Sequence, residues 1–237
     1  MEVITGAVSS DDTVRDARVA VLPVGSFEQH GRHLPLATDT IVASLIAERV
    51  AEHYGLFRLA PLTFSCSHEH EGFTGTVSID AQTLIAVVSD IRASLKRQGI
   101  EQLVIVNGHG GNYVLSNIAQ QANVKRRAVG LFPGREDMAT ARQAAGMVTT
   151  TSEDMHGGEW ETSILLDGCP DLVRDGYLDA DHDVPQRPYL HLLGTAGYAD
   201  AGIIGRPSLA TAEKGRLALA SLTESFEALL SLLLQSD

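Results

Sequence analysis

Short apolar runs that alternate with amphipathic segments constrain the fold of this chain more than any other feature. Arg18 to Val24 and Gln102 to Val106 are almost continuously apolar, which is typical of parallel strands covered by helices on both faces. Between them, Asp80 to Gly99 carries apolar residues at helical spacing, with a capping residue at its start and a glycine at its end. The alternation predicts an α/β fold with three layers, α/β/α, around a mainly parallel central sheet.

The other elements are predicted from the same periodicity and from glycine, proline and capping residues. Pro61 interrupts one apolar run and places that strand near an edge of the sheet. Gly134 to Gly146 has no clear assignment, and Asp167 to Pro207 is expected to be mostly loop. No repeat or linker is visible, so we predict one domain over residues 1–237. In chain order, we expect a helix from Thr38 or Asp39 to Tyr54, a strand from Phe57 to Phe64, a helix from Asn112 to Arg127, a strand from Ala128 to Phe132, and helices from Glu159 to Leu166 and from Thr211 to Gln235.

The composition limits the partners and the cellular setting. Of the 237 residues, 44% are hydrophobic and 20% are charged, so a full core is attainable without disulfides. The net charge is −12 and the sequence has no basic cluster, so we expect neither nucleic acid nor a membrane as a partner. The spacing of Cys66 and Cys169 suggests neither a disulfide nor a metal clip, and we expect reduced thiols in a cytoplasmic protein.

Neither end of the chain predicts membrane insertion. The first residues, MEVITGAVSSDD, lack the positive start and the apolar segment of a signal peptide. No apolar stretch approaches the ~20 residues of a membrane span. The leucine-rich segment from Ala218 to Leu234 is interrupted by Thr223, Glu224 and Glu227, which predicts an amphipathic helix that packs on the core.

The segment from Gly25 to Asp39, GSFEQHGRHLPLATD, holds the side chains most suited to bind a metal. It brings Glu28, His30, His33 and Asp39 close together in sequence. Carboxylate oxygens and imidazole nitrogens are the mixture of ligands that divalent metals such as zinc and manganese accept. The segment directly follows a predicted strand, and open α/β sheets place their sites at the carboxyl ends of strands.

Two further clusters lie after a predicted strand or at a helix start. NGHGGN, from Asn107 to Asn112, puts His109 in a glycine-rich turn, and HGGEWETS, from His156 to Ser163, adds an imidazole and two glutamates. Either cluster alone is explained by ordinary turn chemistry or by acidic residues that favour a helix N-terminus. Together with the first segment they converge on one edge of the predicted sheet, which indicates a metal or acid–base site.

Five segments of the chain carry a resemblance to a known family. They are GSFEQHGRHLPLATD, HEHEGFTGTVSI (68–79), NGHGGN, HGGEWETS and GRPSLATAEKG (205–215). In this order they resemble the creatininase family of metal-dependent amidohydrolases, over about residues 15–235. The resemblance implies a three-layer fold, a homo-oligomer that is often a hexamer, and two divalent metal ions, Zn²⁺ or Mn²⁺ with Fe²⁺ as a further option. It also implies hydrolysis of a C–N amide bond, a reaction that creatinine-cleaving, formamide-cleaving and mycofactocin-system members share.

The resemblance assigns a role to each candidate metal ligand. Glu28 would bind the first metal and His30 the second. Asp39 would bridge the two metals, and His109 would complete the protein ligands of the first. An anionic bridge has a physical reason, because two dications held close together repel each other.

The remaining ligand departs from the family pattern. Creatininase carries a glutamate two residues after the histidine of NGH, and this chain has Gly111 there. We therefore expect a carboxylate from HGGEWETS to bind the second metal, with Glu159 preferred and Glu161 as the alternative. His33 is expected to support the site without binding a metal.

The resemblance also implies a mechanism. A hydroxide that bridges the metals would attack the amide carbonyl. His156 would act as the general acid and base and would protonate the leaving nitrogen. Backbone N–H groups of the NGHGGN turn would hold the oxyanion. The expected substrate contacts come from Glu69, His70, Phe73, Gly110, Gly111 and Asn112.

The acyl group of the substrate stays open, as does the class of protein. Creatininase encloses creatinine with tryptophans that shortly precede the histidine of HGG, and the corresponding segment here, TTTSEDM, has none. Creatinine, a formamide or another small amide, and a short peptide all fit the motifs. The alternatives are a non-catalytic metal-binding or regulatory protein on the same fold, and a nucleophilic hydrolase that uses Ser26 or Cys66, although neither residue lies in an activating motif.

Overall fold

The central sheet is entirely parallel, in agreement with the mainly parallel sheet that the sequence predicted. The computed structural model describes residues 4–235, so the ends of the predicted domain, 1–3 and 236–237, and the start of the segment tested for a signal peptide lie outside the described residues. The spatial order of the strands is β2-β1-β3-β4. The strands are β1 Val19–Val24, β2 Phe57–Arg58, β3 Gln102–Asn107 and β4 Val129–Phe132.

Eight α-helices lie in the described chain before, between and after these strands. The long segment between α6 and α8 contains only α7 and short 3₁₀ turns, in agreement with the predicted loop region. The helices are α1 Asp12–Arg15, α2 Thr38–Tyr54, α3 Ala81–Arg97, α4 Val114–Ala122, α5 Arg135–Ala144, α6 Glu159–Gly168, α7 Leu190–Leu193 and α8 Ala212–Leu234.

The helices cover both faces of the sheet, which confirms the predicted α/β/α architecture. Alternate residues of β1 face opposite sides: Val19 and Val21 belong to one core cluster, and Ala20, Leu22 and Val24 belong to the other. Helices α2, α5, α6 and α8 contribute to the first cluster, and α3 and α4 contribute to the second. The continuous apolar run of β1 therefore reflects burial on both faces of the sheet.

The chain leaves the two central strands in opposite directions. β1 and β3 pair from Val19 opposite Gln102 to Val24 opposite Asn107. After β1 the chain passes through α2 to β2 at one edge, and after β3 it passes through α4 to β4 at the other edge. The loops that follow β1 and β3 therefore diverge and leave a crevice at their carboxyl ends, where open α/β sheets bind ligands.

The N-terminus of α2 packs directly against these strand ends. A Cβ atom on Gly25 would lie 2.2 Å from the backbone nitrogen of Thr40, and one on Gly108 would lie 2.3 Å from the carbonyl oxygen of Asp39. Glycine is required at both positions, because any side chain would push the helix away. The close approach brings Asp39, in the first turn of α2, beside both loops.

The predicted strand from Phe57 to Phe64 was wrong in length. Regular pairing with β1 covers only β2, and an isolated bridge joins Leu62 to β1. Pro61 lacks the N–H group that a continuous ladder requires, which explains the interruption.

α4 and α5 also differ from the sequence prediction. α4 ends early, before Asn123, whose side-chain oxygen accepts hydrogen bonds from the N–H groups of Ala128 (2.7 Å) and Val129 (2.9 Å) and turns the chain into β4. The stretch that had no assignment forms α5, and the carboxylate of Asp137 accepts a hydrogen bond of 2.8 Å from the N–H group of Gly134 at its start.

α8 reaches the length and hydropathy of a membrane span, contrary to the prediction that no stretch does so. It is 23 residues long, and within residues 4–235 it alone meets these criteria. Its packing is nevertheless that of a core helix, because one face lies against α2, α5 and α6. The buried residues on that face are Gly215, Ala218, Leu219, Leu222, Phe226, Leu230 and Leu233.

Candidate metal centre

Asp39 joins imidazoles from two different loops. Its Oδ1 atom lies 3.0 Å from Nε2 of His30, in the loop after β1, and its Oδ2 atom lies 2.9 Å from Nδ1 of His109, in the loop after β3. Ser26 donates a hydrogen bond of 2.7 Å to Oδ2. Burial alone would raise the pKa of Asp39, but the two imidazoles outweigh it and hold that pKa well below its usual range. Asp39 is therefore an ionised carboxylate at the centre of the cluster.

Glu28 is a buried carboxylate that lacks a hydrogen-bond partner among the described residues. Its side chain is fully buried, and neither oxygen has a hydrogen-bond partner within the described part of the chain. Oε1 lies 3.3 Å from Nε2 of His70, 3.3 Å from Nδ1 of His109 and 3.6 Å from Nδ1 of His156. Burial raises the pKa of Glu28 to about 8. An unsatisfied buried carboxylate is costly, and a bound cation would remove that cost, so these residues fit a metal.

Two of the three groups of candidate ligand atoms in the described chain share Asp39. Among residues 4–235, Glu28, Asp39 and His109 form one group, and His30, Asp39 and Glu161 form the other. Within each group the ligand atoms lie within 4.8 Å of one another. Two groups of carboxylate and imidazole that share one carboxylate can hold two divalent cations, because the shared anion offsets their mutual repulsion.

The structure favours Glu161 over Glu159 and so corrects the sequence preference. Oε1 of Glu161 lies 3.8 Å from Nε2 of His30. The carboxylate of Glu159 lies elsewhere: Oε2 accepts hydrogen bonds from the N–H (3.2 Å) and hydroxyl (2.5 Å) groups of Thr149, and Oε1 pairs with the ammonium group of Lys214. The reason is helical geometry, since residues two apart on a helix project about 200° from each other.

Asp154 holds the start of α6, which carries Glu161. Its Oδ1 atom accepts a hydrogen bond of 2.6 Å from the N–H group of Glu159, and Oδ2 accepts one of 2.8 Å from that of Trp160. The guanidinium group of Arg142 donates to the same carboxylate at 2.8 Å. This network satisfies two of the free N–H groups at the start of the helix and fixes the direction in which Glu161 projects.

His156 lies against the other histidines of the cluster. The centroid of its ring is 4.1 Å from that of His30 and 4.1 Å from that of His70. Its backbone N–H and C=O groups both form hydrogen bonds with Ile204, each of 2.9 Å. The backbone of the distant loop that contains Ile204 therefore fixes the position of the imidazole.

The two nitrogens of His156 face different partners. Nε2 lies 2.5 Å from the backbone carbonyl oxygen of Gln29. Because a carbonyl oxygen can only accept a hydrogen bond, we assign the proton of the neutral imidazole to Nε2, which donates a hydrogen bond to it. Nδ1 faces Oε1 of Glu28 at 3.6 Å, and the ligand atoms of Glu28, His30 and His156 also lie within 4.8 Å of one another. Burial lowers the pKa of His156 to about 4. At neutral pH the residue is an uncharged imidazole that presents Nδ1 to the cluster.

Sequence reasoning missed the side chain of Gln29. Its Nε2 atom lies 3.1 Å from Nδ1 of His70 and donates a hydrogen bond of 3.0 Å to the carbonyl group of Gly202. The amide therefore orients His70, whose pKa is lowered by burial. The available signal was the position of Gln29 between the two candidate ligands Glu28 and His30.

Glu69 occupies the space above Gly111. A Cβ atom on Gly111 would lie 1.9 Å from Oε1 of Glu69, and that oxygen lies 3.4 Å from Nε2 of His109. Gly110, Gly111, His70 and Glu69 line a cleft of about 170 Å³ that His109, His156 and Glu161 close on one side. Four of the predicted substrate contacts, Glu69, His70, Gly110 and Gly111, thus lie at one cleft.

The hydrogen bonds of Asn112 within the protein argue against its predicted role as a substrate contact. Its side chain is buried, its Nδ2 atom donates to the carbonyl oxygen of Gly25 at 3.2 Å, and its Oδ1 atom accepts from the N–H group of Cys66 at 3.2 Å. Its backbone N–H group donates to the carbonyl oxygen of His109. Asn112 therefore ties three segments together, and its side-chain and backbone donors form hydrogen bonds within the protein.

The alternative nucleophiles have structural roles. Ser26 is fully buried, and its hydroxyl group donates a hydrogen bond to the carboxylate of Asp39. Cys66 is buried, and burial raises the pKa of its thiol, which opposes thiolate formation. His33 belongs to none of the candidate ligand groups of residues 4–235, and its Nε2 atom lies 3.1 Å from the carbonyl oxygen of Gly157.

The fold and the site together define a class: a three-layer α/β protein with a carboxylate–imidazole site at the switch point of a parallel sheet. The chain belongs to the creatininase family, whose model, described as creatinine amidohydrolase, matches residues 8–230. This match confirms the resemblance seen in the sequence. It also confirms that the protein is a hydrolase of the amidohydrolase type, which acts on C–N bonds.

Relatives in this family span most of the chain. A mycofactocin precursor peptide peptidase from Mycolicibacterium smegmatis (strain ATCC 700084 / mc(2)155) is 34% identical over 215 residues, which cover 86% of this chain and 81% of the relative. A creatinine amidohydrolase from Pseudomonas putida is 30% identical over 221 residues, which cover 85% of this chain and 84% of the relative.

Solved structures share the fold. A creatininase variant of the Zn-Zn type matches with a TM-score of 0.79 and 27% identity over 99% of this chain and 100% of that chain. A structure described as creatininase Mn matches with a TM-score of 0.78 and 27% identity over 94% of each chain. Creatininase structures thus contain zinc or manganese, and this chain has candidate residue groups for such ions.

Proposed function

We propose that the protein is a dinuclear metal hydrolase that cleaves a C–N amide bond. Glu28, Asp39 and His109 would hold the first ion, and His30, Asp39 and Glu161 would hold the second. The observation that carries this proposal is the position of Asp39, whose two oxygens lie 3.0 Å and 2.9 Å from imidazoles of different loops. A carboxylate that already contacts both groups is suited to bridge two cations.

The proposed ions are Zn²⁺ or Mn²⁺, with Fe²⁺ as the further option. When bound, divalent ions at such a site polarise a carbonyl oxygen and lower the pKa of water. The burial of Glu28, with no hydrogen-bond partner for either oxygen among the described residues, supports a cation at this position. The same donor types in both groups suit zinc and manganese alike.

His156 is the proposed proton carrier. Its lowered pKa leaves the imidazole uncharged at neutral pH, and its Nδ1 atom faces the cluster. The carbonyl oxygen of Gln29 holds the proton on Nε2, so Nδ1 is the nitrogen that accepts a proton from water and passes it to the leaving nitrogen. His70 and the glycine backbone at Gly110 and Gly111 line the same cleft and would contact the substrate.

The proposed substrates are small amides, formamides and short peptides. The names of the two relatives indicate a peptide and creatinine as substrates of those proteins. Trp160, the only tryptophan of the chain, is buried. The guanidinium carbon of Arg142 lies over its indole ring, 5.2 Å from the ring centroid. Trp160 therefore does not wall the cleft, which weakens the case for a flat heterocycle such as creatinine.

A hydrolysis screen with metal analysis tests the proposal. Purified protein is stripped with a chelator, reloaded with Zn²⁺ or Mn²⁺, and assayed with creatinine, formamides and short peptides. We expect about two ions per chain and activity that depends on them. Activity that survives complete metal removal would contradict the proposal, whereas tight metal binding with no turnover of any substrate would favour the non-catalytic alternative.

Asp39→Asn provides the matched genetic test. The amide cannot serve as an anionic bridge, so both ions should be lost together with activity, while circular dichroism reports an intact fold. Asp12→Asn, at an exposed position of α1, serves as the control and should change neither quantity. Retention of both ions in Asp39→Asn would refute the bridging role.

A further inference from the structure

A second, larger cleft opens directly beside the candidate metal centre. It has a volume of about 630 Å³, compared with about 170 Å³ for the cleft at the cluster. The two clefts share four residues of their walls, Glu69, Gly111, Tyr113 and Leu190. They therefore adjoin across these residues, and the small cleft alone lies below the range of about 300–1,000 Å³ that is usual for sites of small molecules.

The walls of the larger cleft are mainly apolar. α7 contributes Leu190, Leu192 and Leu193, and α4 and the residue before it contribute Val114 and Tyr113. Leu192 is 75% exposed, Leu193 is 52% exposed and Tyr113 is 71% exposed. Large apolar side chains that are exposed together beside a site are a sign of an apolar ligand, because water solvates such a surface poorly.

The backbone holds α7 in place over the cluster loops. Gly194 ends α7 with φ at 64°, and a Cβ atom there would lie 2.9 Å from the carbonyl oxygen of Glu69. The apolar wall is thus attached to the same loop that supplies Glu69 and His70 to the small cleft. A group that extends from the cluster past Glu69 enters the larger cleft between α7 and α4.

We propose that the larger cleft is a subsite for an apolar side chain that the substrate carries next to its scissile amide. The inference rests on the proposed amide hydrolysis and adds the substrate class: an amide extended by a hydrocarbon or aromatic group on one side. The shared wall of the two clefts and the apolar side chains of α7 carry the argument. A substrate that fills only the small cleft leaves this wall in water.

Two matched series of amides test the subsite on the metal-loaded enzyme. In one series an acyl chain on glycine grows from acetyl through butanoyl to hexanoyl; in the other, an acetyl group is carried by glycine, alanine, leucine or phenylalanine. Release of the amine gives kcat/KM. We expect kcat/KM to rise along one series by about fourfold for each methylene that enters the cleft. Equal kcat/KM along both series, in an active enzyme, would overturn the subsite.

Leu192→Asp and Leu193→Asp place a charge on the apolar wall. Both variants should lower kcat/KM for the longest substrates at least tenfold. The kcat/KM for the shortest substrate and the metal content should stay the same. Val124→Asp, at a position that is 79% exposed and outside both clefts, is the control and should have no effect. The variants are at exposed positions, so the fold should tolerate the substitutions.

Two other outcomes separate the subsite from competing explanations. Leu192→Asp could lower kcat/KM by the same factor for every substrate, with light scattering showing a smaller assembly. In that case α7 is a contact between copies of the chain, and the subsite is refuted. If fully metallated protein hydrolyses a formamide, creatinine or a short peptide but no member of either series, the subsite is refuted and the proposed function stands. If it hydrolyses none of these compounds, the proposed function fails and the subsite fails with it. Hydrolysis without dependence on chain length removes the subsite alone.

Discussion

The carboxylate of Glu69 occupies the position that a side chain on Gly111 would need. A Cβ atom on Gly111 would lie 1.9 Å from Oε1 of Glu69 and 2.4 Å from Nε2 of His109. The absence of a side chain at position 111 and the presence of Glu69 are therefore linked. The glutamate that creatininase carries in the NGH motif is missing here, and a carboxylate from another loop lies in the space above that position.

Gly111→Ala should weaken metal binding through His109. The added methyl group pushes on both the Glu69 carboxylate and the His109 ring, and displaced supporting groups typically cost about 10- to 100-fold in metal affinity. Titration of stripped protein with Zn²⁺ measures this loss. Gly110→Ala is the matched control, because a Cβ atom there meets nothing within 4 Å. Equal affinities of the two variants would show that the contact has no influence on the site.

Glu161→Gln and Glu159→Gln should have different effects. Glu161→Gln removes a proposed ligand of the second metal, so the bound metal should fall from about two ions per chain to about one. The free energy of unfolding of the metal-free protein should change little. Glu159→Gln weakens a partly buried ion pair and leaves Lys214 without its charged partner, so it should lower the free energy of unfolding by about 1–3 kcal/mol and retain both ions. Metal analysis and urea unfolding measure the two effects; loss of metal only in Glu159→Gln would restore the original sequence preference.

His156→Ala should separate proton transfer from metal binding. With the imidazole removed, kcat should fall about 10²- to 10⁴-fold, the usual contribution of a general acid or base, while both ions stay bound. His53→Ala, at an exposed position near the end of α2, should leave kcat unchanged. Loss of an ion in His156→Ala would instead make His156 a ligand, in the group that it forms with Glu28 and His30.

Glu28 should make the metal-free protein less stable at alkaline pH. Burial raises the pKa of Glu28 from 4.5 to about 8, so between these values the folded state keeps a proton that the unfolded state releases. The contribution of Glu28 to stability is therefore present below pH 4.5 and is lost as the pH rises towards 8. Glu28→Gln removes this loss, and its Tm relative to the wild type should increase from pH 5 to pH 8. Glu52→Gln, on the exposed side of α2, is the control; a Tm difference for Glu28→Gln that does not change with pH would contradict the assignment.

Much of the fold could be predicted because its signals are local. β1 and β3 are short apolar runs, and the bounds of α2 and α3 follow from Gly55, Asp80 and Gly99 within one turn of each helix end. The predicted length of β2 was wrong because one proline interrupts its pairing. The predicted end of α4 was wrong because the side chain of Asn123 contacts the backbone at the start of the following strand. Oligomeric state and cellular location stay predictions.

The site divides in the same way. The candidate ligands Glu28, His30, Asp39 and His109 follow from motifs at strand ends, because a parallel sheet brings such ends together whatever the rest of the chain does. The choice between Glu159 and Glu161 does not, because it depends on the side of α6 that faces the cluster.

Contacts between distant segments settle the remaining details of the site. Lys214 lies 55 residues from Glu159 in sequence and pairs with it in space. Ile204 fixes His156 in the same manner, and Glu69 fills the space over Gly111. These contacts follow from the packing of separate layers, which no window of the sequence contains, and they direct each side chain of the site towards or away from the metal centre.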